Sequence, residues 1–394
     1  MANLSYIEIS DALIQGLSDT SPASGLTHPY YRYPARFSPR FASAVIEAFT
    51  SQGDVVLDPF MGSGTTIVES IARGRSAIGT DVNPLAVFVA RTKSTLISQR
   101  SISRIEQWWD TTLPKLNLRR KAGSQGNWRE MGYQKDLPWP IRKTIELGLS
   151  ELGGLPHLAE RNFVRCVLLR ASQWGLEARR SVPSAGSFRE KIGETLREFI
   201  VGANALRERI EMRSMSRPPR SICLNGAAAD LPGIVTLRNQ LGAPRLVLTS
   251  PPYPGVHVLY HRWQVGGRKE TPAPYWIIGS RDGKSGKFYT MGGRSMAGLD
   301  SYFHELERSF RQIREIVDSD CMVVQLVAFS ESSVQLPRFL QCMEASGFRE
   351  VGLVVRGKRL EATPSRNVPI RKFHAALQGR TDSSIEYLLI HQPA

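Results

Sequence analysis

The chain has 394 residues, 41% of them hydrophobic, enough for one large domain with an insertion or for two domains. No run of about 18 apolar residues occurs, so a membrane-spanning helix is not expected. The N-terminal MANLSYIEISDALIQGLSD has acids and no basic start, so a signal peptide is not expected either. The net charge is +15 and unevenly spread. Residues 1–100 hold 8 basic and 8 acidic side chains, whereas residues 101–220 hold 22 and 13. A basic surface is the footprint of a polyanion binder, although a soluble protein can also simply be basic. Cys166, Cys223, Cys321 and Cys342 are too far apart for a zinc knuckle and too few for a disulfide framework. Reduced, mostly buried thiols in a cytoplasmic protein without a metal site are expected.

In chain order, FASAVIEAFTS over residues 41–51 has the period of an amphipathic helix. A turn at Gly53-Asp54 leads into a strand at Val55-Val56-Leu57, then DPFMGSGTT over 58–66, then a helix ending at Gly74. A second strand over Ser76–Thr80 ends at Asp81, and Asn83-Pro84 opens another helix. Strand, glycine turn, helix, strand and acid make a βαβ unit of a parallel sheet. Residues 100–220 change character, with Arg and Lys, several tryptophans and stretches of helical period such as RNFVRCVLLRASQWGL. The sheet resumes at Ser221–Leu224 and again at RLVLT over 245–249, followed by TSPPY. Residues 254–298 show no clear period. A helix over about 301–317, a strand over 321–327 and a helix near 336–346 follow. FREVGLVVRG and SIEYLLIHQ are expected to form an antiparallel pair. Three parts result: 1–99, a mostly helical basic insertion over 100–220, and 221–394.

Two motifs carry chemistry. Gly62 and Gly64 after the strand that ends at Asp58 let backbone approach a ligand closely, in the crevice where open α/β sheets bind ligands. Asp81, 23 residues beyond Asp58, ends the next strand, where an acid can accept from both hydroxyls of a ribose. No Lys follows the glycines, which disfavours triphosphate, and the pattern is not GxGxxG. In TSPPY, Ser250 and a prolyl carbonyl fixed by Pro251 and Pro252 offer acceptors to an amine, and Tyr253 offers a stacking face. A bare proline turn ending a strand is the plain alternative.

DPFMGSGTT, AIGTDVNP and TSPPY together resemble the amino-group DNA methyltransferases, which use S-adenosylmethionine and make N4-methylcytosine or N6-methyladenine. HPYYRYPARFSPRF resembles the segment that precedes the glycine motif in that family. The resemblance covers residues 28–93 and 221–330 well and the insertion poorly. It implies a Rossmann-like α/β methyltransferase sheet, mostly parallel, with an antiparallel C-terminal strand and a largely helical insertion. It further implies that Tyr33, Ala35, Arg36 and Phe37 flank the cofactor, and that Asp58, Phe60, Gly62, Gly64 and Thr65 line its methionine end. Asp81 would take the ribose, Asn83 and Pro84 would lie beside the adenine, and Asp230 would sit near the adenine amine. Ser250, Pro251, Pro252 and Tyr253 would form the catalytic loop. Serine at the first position of that loop is commoner in the N4-cytosine members, which favours cytosine over adenine.

Residues 257–294 hold seven Lys or Arg, two acids and six aromatics. Basic residues interleaved with rings suit a strand-tracking, base-stacking surface, and a loop covering the core is the alternative. Arg262, Trp263, Arg268, Lys269, Lys284, Lys287 and Arg294 are the candidate contacts to double-stranded DNA. The expected activity is methyl transfer to the exocyclic amine of a flipped base in duplex DNA. An RNA base-amine methyltransferase and an inactive DNA-binding relative remain alternatives. Few residues precede HPYYRYPARF for a separate RNA-binding domain, and both motifs are intact, which speak against each in turn.

Overall fold

A computed structural model describes residues 5–33, 37–123, 126–179, 181–230, 232–254, 262–266, 269–283, 291–293, 295–368 and 384–394. The chain opens with β1 (Tyr6–Glu8), α1 (Asp11–Ser18) and α2 (Pro39–Phe49). The βαβ core follows as β2 (Val55–Asp58), α3 (Thr65–Ala72), β3 (Ser76–Asp81) and α4 (Pro84–Ser94). Next come the helices α5 (Gln99–Thr112), α6 (Trp139–Ser150), α7 (Leu158–Leu176) and α8 (Ala185–Glu211). The sheet returns with β4 (Ser221–Asn225), α9 (Pro232–Leu241) and β5 (Pro244–Thr249). A short hairpin, β6 (Trp263–Val265) and β7 (Lys269–Thr271), precedes α10 (Ala273–Ile278) and α11 (Met296–Ile316). The chain closes with β8 (Met322–Ala328), α12 (Ser332–Ala345), β9 (Phe348–Glu350), β10 (Gly352–Val355), β11 (Lys358–Arg359), β12 (Ser365–Val368) and β13 (Ser384–Pro393).

The main sheet runs in the order β12-β13-β8-β5-β2-β3-β4, with β9 also pairing β13. The five strands from β8 to β4 are parallel to their neighbours, and β13 is antiparallel to β8. This is the mostly parallel α/β sheet with an antiparallel C-terminal strand that the motifs imply. Its central strands are buried on both faces because side chains alternate and helices cover each side. Val55 and Leu57 of β2 face Leu306, Phe310 and Ile313 of α11. Val56, between them, packs in the opposite cluster with Phe41, Val45 and Ile46 of α2.

The expected pairing of FREVGLVVRG with SIEYLLIHQ holds only for its first three residues, as β9 on β13. After Val351 the chain leaves the main sheet, and β10 runs parallel to β1 and antiparallel to β11. Gly352 permits this, since a Cβ there would lie 2.5 Å from the Tyr6 ring. The 254–298 stretch, read as lacking period, also contains order. Trp263, Tyr275 and Trp276 are fully buried, and Trp263 Nε1 donates to Tyr31 Oη at 3.0 Å. Six-residue α10 is too short to show a period, and β6 and β7 have three residues each.

Helices α5–α8 share one apolar cluster with Leu85 and Val89 of α4 and with α10. Tyr30 joins them to the N-terminal segment. Its ring stacks on Phe199 of α8 at 3.8 Å between centroids, and its hydroxyl donates to the Phe199 carbonyl at 2.6 Å. Phe199→Ala should therefore cost about 3–5 kcal/mol. The loss should appear in the same unfolding transition as the sheet when followed by far-UV circular dichroism in urea. A separate transition for the helices, shifted alone, would contradict the shared core.

Candidate active site

From β2 the chain moves outward to β3 and β4, then returns to the other side of β2 to form β5. The carboxyl ends of β2 and β5 thus flank the point where strand order reverses, the usual ligand crevice of such sheets. Asp58 ends β2 and Thr249 ends β5. Thr249 Oγ1 donates to Asp58 Oδ1 at 2.7 Å, and both side chains are buried. The same carboxylate oxygen accepts from the Phe60 amide at 3.2 Å. Thr66 Oγ1, on α3, donates to the Leu248 carbonyl at 3.2 Å. The glycine turn and the TSPPY turn are thereby joined from both directions.

Asp81 ends β3 beside them. Its Oδ2 accepts from the Gly62 amide at 3.0 Å and its Oδ1 from the Asn83 amide at 2.8 Å. Gly62 and Gly64 hold the turn with φ of +49° and +79°, which side-chain-bearing residues adopt only at a cost. A Cβ at Gly64 would lie 2.7 Å from Ala90 Cβ, and one at Gly62 would lie 3.5 Å from the Tyr33 ring. Tyr33 therefore lies over the turn. Asn83 Oδ1 caps α4 through the Leu85 amide, with Pro84 in the first helical turn, and also accepts from Tyr275 Oη at 3.0 Å.

Among the described residues, three buried polar atoms around this turn have no hydrogen-bond partner: Ser63 Oγ, Thr65 Oγ1 and Asn83 Nδ2. Buried polar groups are ordinarily satisfied, so such a set marks where a polar ligand would complete the site. Together with the Asp81 carboxylate beside the turn, they fit an adenosyl amino acid.

The SPPY turn follows directly. Ser250 Oγ donates to the Leu326 carbonyl of β8 at 2.8 Å. Its one hydrogen is thus committed, and its lone pairs remain to accept. Pro251 is buried and Pro252 half-buried. Tyr253, half-buried, donates its hydroxyl to Glu386 Oε1 on β13 at 2.6 Å.

Several expected positions fall elsewhere. Phe37 is buried against Phe41 in the core beneath the sheet, with ring centroids 5.6 Å apart, because an apolar ring beside α2 gains most by packing there. Asp230 is exposed and turned to Arg308 of α11 at 3.3 Å, so it does not join Asp58 and Asp81. Trp263 lies wholly in the core and offers no face for stacking on a base. Arg262 pairs with Asp282 at 2.9 Å, and Lys269 is exposed, 3.8 Å from Asp136. Phe60 is half-buried at the turn. Ala35, Arg36, Arg268, Lys284, Lys287 and Arg294 lie outside the described residues. Sequence reasoning missed the brace from Thr249, although it stands inside the quoted motif, and the partner of Tyr253. The signal for the latter was Glu386 itself, the one acid of β13.

Comparison with known proteins concerns the N-terminal part. A family model for N6/N4-type DNA methylases matches residues 10–91. Type II methyltransferase M.MvaI of Kocuria varians is 43% identical over 83 residues, 20% of this chain and 18% of that protein. M.MjaII of Methanocaldococcus jannaschii is 35% identical over 66 residues (17% and 12%), and M.BsoBI of Geobacillus stearothermophilus 40% over 68 (17% and 13%). Residues 10–91 are thus similar to DNA methylases, and this chain spans under a fifth of the length of each of these three relatives. No helix among the described residues is long and apolar enough to cross a membrane.

Burial pushes the carboxyls of Asp58 and Asp81 up to about 6, from an ordinary 3.8. The folded chain therefore holds both protons more tightly than the unfolded chain does. Their stabilising contribution is complete below about pH 4 and is lost as pH rises through about 6, by at most about 3 kcal/mol per group. Urea unfolding of the ligand-free protein should show this fall between pH 4 and 6.5. Asp81→Asn should flatten the slope, and an unchanged slope would remove Asp81 from the account.

Proposed function

We propose that this chain transfers a methyl group from S-adenosylmethionine to the exocyclic amine of a base flipped out of duplex DNA, with cytosine N4 as the target. The observation that carries this reading is the Thr249–Asp58 hydrogen bond, which sets the SPPY turn against the glycine turn in one crevice. A small-molecule site and an amine-accepting turn thus stand side by side.

The residues around the glycine turn would hold the cofactor. Asp81 accepts from the ribose hydroxyls, Tyr33 covers the turn, and Ser63, Thr65 and Asn83 gain the partners they lack. Bound there, S-adenosylmethionine supplies a methyl group already activated by its sulfonium, so no metal or strong base is required of the protein. The work left to the protein concerns the amine. Its nitrogen lone pair is delocalised into the base ring and is a poor nucleophile. Ser250 Oγ and the prolyl carbonyl accept hydrogen bonds from the NH2 group, which draws electron density back onto nitrogen. The Tyr253 ring stacks on the extruded base and fixes its plane. The amine proton released after transfer leaves to solvent.

Duplex DNA as partner is supported by the basic excess over residues 101–220 and by the relatives' names. Helices α5–α8 and the 262–282 stretch are the proposed duplex-facing parts, with Arg262 and Lys269 as contacts. In a prokaryotic host that substrate is nucleoid DNA, in the cytoplasm. The choice of cytosine rests on serine at position 250. Nucleoside mass spectrometry of DNA from cells expressing the protein should find N4-methylcytosine. N6-methyladenine would move the target base, and a mark confined to RNA would overturn the reading.

Ser250→Ala should lower methyl transfer by about two orders of magnitude, the size of one preorganised hydrogen bond in a transition state. S-adenosylmethionine affinity by calorimetry should stay unchanged. Wild-type rates in this variant would remove the turn from the mechanism. Duplex binding should weaken steeply between 50 and 200 mM salt, as phosphate contacts with counterion release require. A flat response would point away from nucleic acid.

A further inference from the structure

The geometry points to Glu386, held in place by Arg366, as the residue that positions the Tyr253 ring. This rests on the reading of Tyr253 as the stacking platform. Glu386 and Arg366 stand directly opposite each other on antiparallel β13 and β12. Both are buried. Arg366 Nε and Nη2 reach Glu386 Oε2 at 2.7 and 2.5 Å. Arg366 Nη1 donates to the carbonyls of Leu17 and Asp19, at the end of α1, at 3.3 Å each. The guanidinium is thus clamped from two sides and occupies one carboxylate oxygen. The other oxygen, Oε1, takes the Tyr253 hydroxyl at 2.6 Å.

A buried ion pair is a poor choice for stability alone, because desolvating two charges consumes most of their attraction. An apolar cross-strand pair would hold β12 to β13 as well. What such a pair could not do is accept from a phenol. A charged acceptor is a stronger and more directional anchor than water or a neutral group. Tyr253 follows two prolines, so its backbone is stiff, but its ring still turns about χ1 and χ2. The bond to a carboxylate locked by Arg366 fixes the far end of that ring. The platform is then set before a base arrives, which is the preorganisation a transfer between two bound groups needs. Ser250 is fixed to β8 in the same manner, so both working side chains of the turn are tied to sheet strands.

The test is a double-mutant cycle on the full chain. Initial rates of methyl transfer from tritiated S-adenosylmethionine are measured on PCR-amplified duplex DNA of several kilobases, with both substrates saturating. Tyr253→Phe keeps the ring and leaves the Glu386–Arg366 pair intact. It should lower kcat about tenfold, the size of one hydrogen bond to a charged group. Cofactor affinity should not move, and the chain should stay folded with a modest loss of stability from the donor removed from Glu386. Glu386→Gln should lower kcat similarly, and the two changes together should cost no more than either alone. A purely structural Glu386 gives losses that multiply, and that result overturns the assignment. So does wild-type kcat in Tyr253→Phe, which decides the matter by itself if Glu386→Gln does not fold. Transfer by the wild-type chain alongside such an outcome leaves the methyltransferase reading standing. Absence of transfer by the wild-type chain removes both.

Discussion

The hydrogen bond from Thr249 to Asp58 is the constraint on which the rest of the site depends. Asp58 ends one central strand and Thr249 ends its neighbour, and parallel pairing of β2 with β5, in which Leu57 is opposite Val247, brings the two ends within one residue of each other. A carboxyl buried this deeply needs donors, and it finds them in Thr249 and the Phe60 amide. Those donors belong to the two turns that leave the strands. One short bond therefore sets the separation between the place that would hold a cofactor and the place that would hold a base amine. The wider sheet extends the same logic. β3 supplies Asp81, β8 supplies the carbonyl that orients Ser250, and β13 supplies the acid that takes Tyr253. Each working group at this edge is referred to a strand rather than to another loop.

The helical part between α4 and β4 is bound into this arrangement. Its core is continuous with α4 and with α10, and α10 reaches the site through Tyr275 on Asn83. Asn83 caps α4 and stands next to Asp81, so helix packing on that side bears on the position of the turn. Burial of Trp263 and Trp276 gives the 263–278 stretch a structural task as well as any external one.

Much of the sheet, and the strand ends around the candidate site, were legible in the sequence because local signals were strong there. Short apolar runs ending in Asp58, Asp81 and Thr249, with glycines or prolines after them, mark strand ends without help from tertiary context. Phe37, Asp230 and Trp263 were misplaced for a common reason. An aromatic ring or an acid beside a motif has the right chemistry for a ligand contact, but burial energy or an ion pair with a distant arginine decides where it points. Periodicity carried no information for α10, β6 and β7, which are shorter than the window in which a period can be seen. The departure of β10 from the main sheet depended on β1, three residues at the far end of the chain. Arg366 and Glu386 are 20 residues apart in sequence and meet only through strand register.

The measurement that bears most directly on the account is the rate of methyl transfer to unmethylated duplex DNA by the wild-type chain and by Thr249→Val. Valine matches threonine in shape and removes only the hydroxyl that joins the two turns. The account predicts transfer by the wild-type chain and a loss of at least about tenfold in the variant, with the fold retained. Equal rates in the two proteins would contradict it.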